Sequence, residues 1–230
     1  MKKLLYVPVI HEEADLGSVA APAGKRSREF FGNARWERHK EIVTAFWDRL
    51  SDYFSNIDPT GLRIYQDGLA AGGELGRKII KEGAQRGSKN YQIVLDLIKR
   101  GGAVQKTEDI EILKKELERI FQVIRNESSD KKDSTPLEDR LEGDRLMEER
   151  DRFVAKTIGD TLKEGERGVL FMGAFHRVIR YLPDDVEILE VKNIQKVRDY
   201  FKFLISNHDE ETFEKLAAYM ASPVNPAWLD

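Results

Sequence analysis

The 230-residue sequence has no cysteine. Disulfides, thiolate nucleophiles and cysteine-ligated zinc are therefore excluded. It has no surplus of one charge either, with 38 basic and 41 acidic residues and a net charge of −3. That balance argues against bulk nucleic-acid binding and against a basic membrane patch. Long apolar runs are missing too: the N-terminal stretch at residues 4–10 meets Pro8 and then acids. It is too short for a signal-peptide core or a spanning helix and reads as the first strand of a cytoplasmic protein. The pair Gly72-Gly73 lacks the lysine and serine of a phosphate loop, and the dinucleotide-binding glycine spacing is absent.

What is present is enough apolar material for a core, at 40% hydrophobic residues, with 34% charged residues pointing to long solvated helix faces. Residues 34–57 carry Trp36, Ile42, Val43, Phe46, Trp47, Leu50, Tyr53 and Phe54 at helical spacing, an amphipathic helix with His39 on its surface. Residues 62–66 alternate as a strand that ends at Asp67-Gly68. Helices are expected at 74–84, 91–100 (capped by Ser88) and from Thr107 to about 126, with a short strand at 103–106. A polar connection at 127–135 leads to Pro136 and a long helix to about 162. Strands follow at 168–173 and 186–191, with helices at 194–206 and 210–220. His208 reads as a loop residue, and the tail at 222–230 holds an isolated Trp228. Pro8 suggests an edge strand or a bulge. The expectation is one α/β domain over 1–230: a small central mixed sheet, helices on both faces, a long helical insertion at 107–162 and a C-terminal tail.

Residues 168–177 are the most informative stretch. Four apolar residues run to Gly173, and His176 follows three residues later. A histidine delivered to the carboxyl end of a strand sits where open α/β sheets bind ligands. It can ligate metal, move a proton or donate a hydrogen bond; the alternative is a buried structural histidine. The first strand ends in His11-Glu12-Glu13-Ala14-Asp15. In an extended segment His11, Glu13 and Asp15 would share a face suited to a hard or borderline metal; the alternative is a solvated acidic loop. Asp67 has the same two readings.

Glu149-Arg150-Asp151 on the long helix, Gly173-Ala174-Phe175-His176 at a strand end, and the strand that ends in His11 occur in one order. In that order the chain resembles the TraB/PrgY, erythromycin-esterase and Tiki-like superfamily. Pro8 stands where the family's first Gly-x-x-His has glycine, and Gln66-Asp67 stand where a strand ends in glutamate. The family includes metal-dependent peptidases, ester hydrolases and haem-binding members, so the resemblance implies a fold and a range of activities. One expectation is a peptide or ester hydrolase with His176, Arg150, Glu12 and Glu13 as catalytic residues. His11, His176 and Asp67 would hold a divalent metal such as Mn²⁺, Mg²⁺ or Zn²⁺ and leave a position for water. A second is metal-free hydrolysis, in which a histidine activates water. A third is a non-catalytic ligand-binding or regulatory protein on the same fold. Substrates would be small molecules or peptides, with no nucleic acid and no membrane partner, and self-association stays open. His176 is expected to be dispensable for folding.

Overall fold

The computed structural model describes residues 1–15, 28–127, 137–206 and 209–224. Residues 16–27, 128–136, His208 and Trp228 lie outside them, so the expected loop, most of the polar connection and the end of the tail do too.

Five strands form one sheet: β1 Lys2–Val9, β2 Arg63–Gln66, β3 Ala103–Val104, β4 Arg167–Gly173 and β5 Val186–Glu190. Their order is β3-β2-β4-β1-β5, and every pairing is parallel. The expected α/β class is what the chain forms, and the strand directions, anticipated as mixed, are all the same. The helices are α1 Asn33–Ser55, α2 Gly73–Gln85, α3 Lys89–Lys99, α4 Ile110–Glu127, α5 Leu137–Thr161, α6 Ile194–Ser206 and α7 Glu210–Met220. No described helix is long and apolar enough to cross a membrane.

The period of 2 along a strand sends successive side chains to opposite faces, and both faces here are apolar. Leu5, Val7 and Val9 of β1 join Val169 and Phe171 of β4 in a large core with Phe46, Trp47, Leu50 and Phe54 of α1. Leu4, Tyr6, Leu170 and Met172 face the other way and pack on Val154, Ala155 and Ile158 of α5. Each such large apolar side chain stabilises the fold by about 1.5–3 kcal/mol. Trp47 also donates its Nε1–H to Ile10 O at 3.1 Å and so fixes α1 against the carboxyl end of β1.

Pro8 lies on an interior strand, neither at an edge nor in a bulge. Tyr6 O accepts Val191 N on the β5 side and Val9 O accepts Ala174 N on the β4 side. Residue 8 therefore faces the β5 side, where the ladder has ended at Tyr6↔Glu190. A missing N–H costs no hydrogen bond there.

Thr107 does not cap the helix after it. Its hydroxyl accepts Gln66 N at 3.0 Å and ties β3 to the end of β2. Asp109 takes the capping role, accepting Glu111 N at 2.8 Å.

Candidate functional site at the carboxyl ends of β1, β2 and β4

Three neighbouring strands end together, and each delivers one polar side chain: β1 leads to His11, β2 to Asp67 and β4 to His176. The fourth contribution comes from α5. Consecutive helical residues point about 100° apart, so Arg150 and Asp151 address two adjacent strand ends. The Arg150 guanidinium reaches Asp67 Oδ1 at 2.7 Å, and Asp151 Oδ1 meets His176 Nδ1 at 2.6 Å. Glu149, beside them, is exposed.

Asp67 is buried and fully engaged. Its Oδ1 is held by Arg150, and its Oδ2 accepts Gly173 N at 3.0 Å with His11 Nε2 at 3.8 Å. Burial by itself would raise its pKa. Arg150, the two imidazoles and the Gly173 N–H override that and hold it at about 2. Arg150 is ringed by carboxylates: Glu108 at 2.6 Å and 3.2 Å, Glu116 at 2.5 Å, and Asp67. Burial raises the Glu108 pKa, Arg150 only partly offsets it, and the nearby Asp67 adds to the rise. Acidification therefore reaches Glu108 before Asp67.

His176 is 8% exposed and Asp151 2%. Asp151 Oδ2 accepts Arg177 N at 2.7 Å, so the carboxylate is fixed at both oxygens. Burial pulls the His176 pKa down; the hydrogen bond to Asp151 and the charge of Asp67 pull it up, and the net displacement is upward. With Nδ1 committed, Nε2 is the ring nitrogen left for chemistry.

The two histidines share one small space. A Cβ built on Gly173 would lie 3.2 Å from His176 Cδ2, 3.2 Å from Asp67 Oδ2 and 3.8 Å from His11 Nε2. The absent side chain of Gly173 thus opens the gap that both rings border. His11 is the accessible member, with its side chain 46% exposed. It also lines a pocket of about 260 Å³ with Trp36, His39, Val43 and Thr44.

Compared with protein-family models, with curated proteins and with solved structures, the chain has no match in any of the three.

Several expected site residues lie elsewhere or act differently. Glu12 turns from the strand ends to the start of α3, where its Oε2 accepts Lys89 N at 3.3 Å; burial raises its pKa. Residues 13–15 form a 3₁₀ turn, not an extended segment, so the alternating-face argument fails there. Asp15 folds back to accept Glu12 N at 2.8 Å. The Glu13 side chain lies outside the described residues. Of the two roles open to Arg150, orienting a carboxylate or stabilising developing negative charge, its bonds to Asp67, Glu108 and Glu116 match the first. His39 is buried, not on the surface: its Nδ1 meets Tyr200 OH at 2.8 Å, and burial lowers its pKa to about 4.

In the expected metal set His11, His176 and Asp67, each Asp67 oxygen already accepts a hydrogen bond, from Arg150 or from Gly173 N, while His176 keeps Nε2 available. Among the described residues no group of three or more His, Asp and Glu side chains is arranged to hold a metal ion.

Asp151, Glu108 and Gly173 are the site residues that sequence reasoning did not assign. Asp151 was visible in Glu149-Arg150-Asp151, but nothing in a single sequence says which of three adjacent charges turns inward. Glu108 sits in an acid-rich stretch ahead of a helix, which reads equally well as a favourable charge on the helix dipole.

Proposed function

We propose that the chain is a hydrolase of peptide or ester bonds in which His176, oriented by Asp151, is the general base. The observation that carries this reading is the 2.6 Å contact between Asp151 and His176 Nδ1, buried at a strand terminus. A carboxylate on Nδ1 fixes the tautomer, turns Nε2 toward the open gap and stabilises the imidazolium formed when a proton is taken from water. His11, accessible and on the far side of the same gap, would polarise the scissile carbonyl or protonate the leaving group. Asp67 holds a fixed negative charge that favours the imidazolium state of His176, and Arg150 keeps that carboxylate in place. The resemblance to the erythromycin-esterase group supports the same assignment. In this reading the water is activated by the imidazole itself.

The test is turnover of a panel of p-nitrophenyl esters and peptide anilides, by wild type and by His176→Gln, each with and without a chelator. General acid–base catalysis contributes about 10²–10⁴-fold, so the variant should lose at least ~100-fold in kcat/KM while the chelator changes nothing. Turnover unaffected by His176→Gln refutes the assignment, and turnover abolished by the chelator replaces it with a metal-dependent one.

A second reading, a non-catalytic ligand-binding protein, is favoured by one observation. Three carboxylates around Arg150 make a network complete in itself, as a lock at a sheet edge would be. Absence of turnover across the whole panel would favour that reading.

A further inference from the structure

His176 borders a second cleft, of about 360 Å³, together with Arg177, Arg180, Glu190, Asn193 and Arg198. Three guanidiniums face one carboxylate, in a chain whose overall charge is close to balanced. That carboxylate is already engaged: Glu190 accepts Ile194 N at 3.0 Å and Asn193 Nδ2 at 3.2 Å. Arg198 is engaged as well, donating to Ala174 O at 2.7 Å and His176 O at 2.8 Å. It braces the turn that carries His176.

Arg177 and Arg180 differ. Both are exposed, and neither side chain makes a hydrogen bond or ion pair among the described residues. Most neighbouring surface arginines do find a carboxylate; Arg145 and Arg152, for example, each pair with a glutamate on their own helix. The two guanidiniums, of which Arg180 also feels the charge of Glu148, are brought together by local structure. Residues Val178–Tyr181 form a 3₁₀ turn, with Arg180 N donating to Arg177 O at 3.0 Å. In that geometry side chains three apart eclipse one another, so Arg177 and Arg180 stand on the same side of the turn. Helix α6 begins at the same cleft, and its dipole adds a favourable field for negative charge.

We infer that this cleft takes an anionic group of the substrate, a carboxylate or a phosphate, held by Arg177 and Arg180 beside His176. The inference rests on the hydrolase reading for its placement next to a reacting bond. Its physical basis is separate: planar guanidinium forks match the paired oxygens of both anions. The substrates implied are acidic acyl compounds, and neutral esters would lack this anchor.

The test is calorimetric titration of the full chain at low ionic strength, where surface charge is least screened. The probes are inorganic phosphate and succinate, and the proteins are wild type, Arg177→Gln/Arg180→Gln and His176→Gln. The expected result is that one probe binds wild type and His176→Gln, and that the double variant binds it at least ~10-fold more weakly, or ~1.4 kcal/mol. Binding of phosphate alone identifies a phosphate site; binding of succinate alone identifies a carboxylate site. No binding of either, or binding untouched by the double substitution, overturns the inference. A kinetic arm compares a monoester of a dicarboxylic acid with its neutral diester. The double variant should raise KM for the monoester only, and equal KM values for both esters in wild type also overturn it. Anion binding without any ester turnover would sink the hydrolase reading and leave the cleft standing. Turnover with no anion preference would do the reverse.

Discussion

Replacing Gly173 with alanine is the most direct probe of the gap between the two histidines. The added methyl would meet Asp67 Oδ2 and His176 Cδ2 at 3.2 Å each, and His11 Nε2 at 3.8 Å. The first two contacts are tighter than ordinary van der Waals distances, so something must yield by a few tenths of an ångström. Asp67 is clamped by Arg150 at 2.7 Å and His176 by Asp151 at 2.6 Å, so neither yields cheaply. Overpacking of this kind costs about 1–3 kcal/mol. The loss of backbone freedom in the unfolded chain returns about 0.4–1 kcal/mol. The net destabilisation is then no more than about 2.5 kcal/mol, a fall in Tm of at most about 10 °C at this size. The effect on catalysis should be larger, because displacing a reacting group by about 1 Å can cost ~100-fold. The assay is kcat/KM on the best ester of the panel, beside a melting curve. Gly173→Ala, whose shift is a few tenths of an ångström, should stay folded and lose activity by up to ~100-fold. A folded variant with wild-type kcat/KM would show that bond breaking does not occur between the rings.

Three further outcomes follow from the same geometry. Arg150→Met leaves Asp67 and Glu108 buried without their cation, a change that costs about 3–5 kcal/mol; the variant should gain stability as pH falls and these acids become neutral, and a melting series against pH checks both statements. In Asp151→Asn, His176 loses the partner that raises its pKa above the ordinary 6.5. The stability from that pair is fully present below about pH 6.5 and fades as pH rises through the raised value, so the Tm gap between wild type and variant should be widest on the acid side. The neutral, base form of His176 then appears at lower pH in the variant, so the rising limb of its kcat/KM profile should move to lower pH while the plateau falls. His11→Ala removes an exposed ring and should change stability by less than about 0.5 kcal/mol while turnover drops; unchanged turnover would remove His11 from the reaction.

The sheet was legible because its signals are local. The apolar run at 169–172, the alternation at 62–66 and the aromatic stripe on α1 each dictate one element. The meeting of His11, Asp67 and His176 at one edge was legible too, because strands that begin and end in step bring their termini together. What failed were readings that depend on which way a side chain turns. An extended segment would have set Glu12 on the face opposite His11, Glu13 and Asp15; a 3₁₀ turn forms at 13–15 instead, and Glu12 meets the start of α3 rather than the catalytic place expected of it. His39 sits among charged residues in the sequence, but it lies on the buried stripe against Tyr200. The small stability cost expected of His176→Ala is a matter for measurement: the change leaves Asp151 buried with only the Arg177 N–H, which should cost about 1–3 kcal/mol.

The order of signs along α5 has a consequence of its own. Residues 149–152 read Glu-Arg-Asp-Arg, and the middle two serve neighbouring strands. A slip of one residue in one direction would set Glu149 against Asp67 and Arg150 against His176. A slip in the other would set Asp151 against Asp67 and Arg152 against His176. Both misalignments set carboxylate against carboxylate at Asp67 and, while His176 is protonated, cation against cation at the second place, so the helix carries its own proofreading of where it docks.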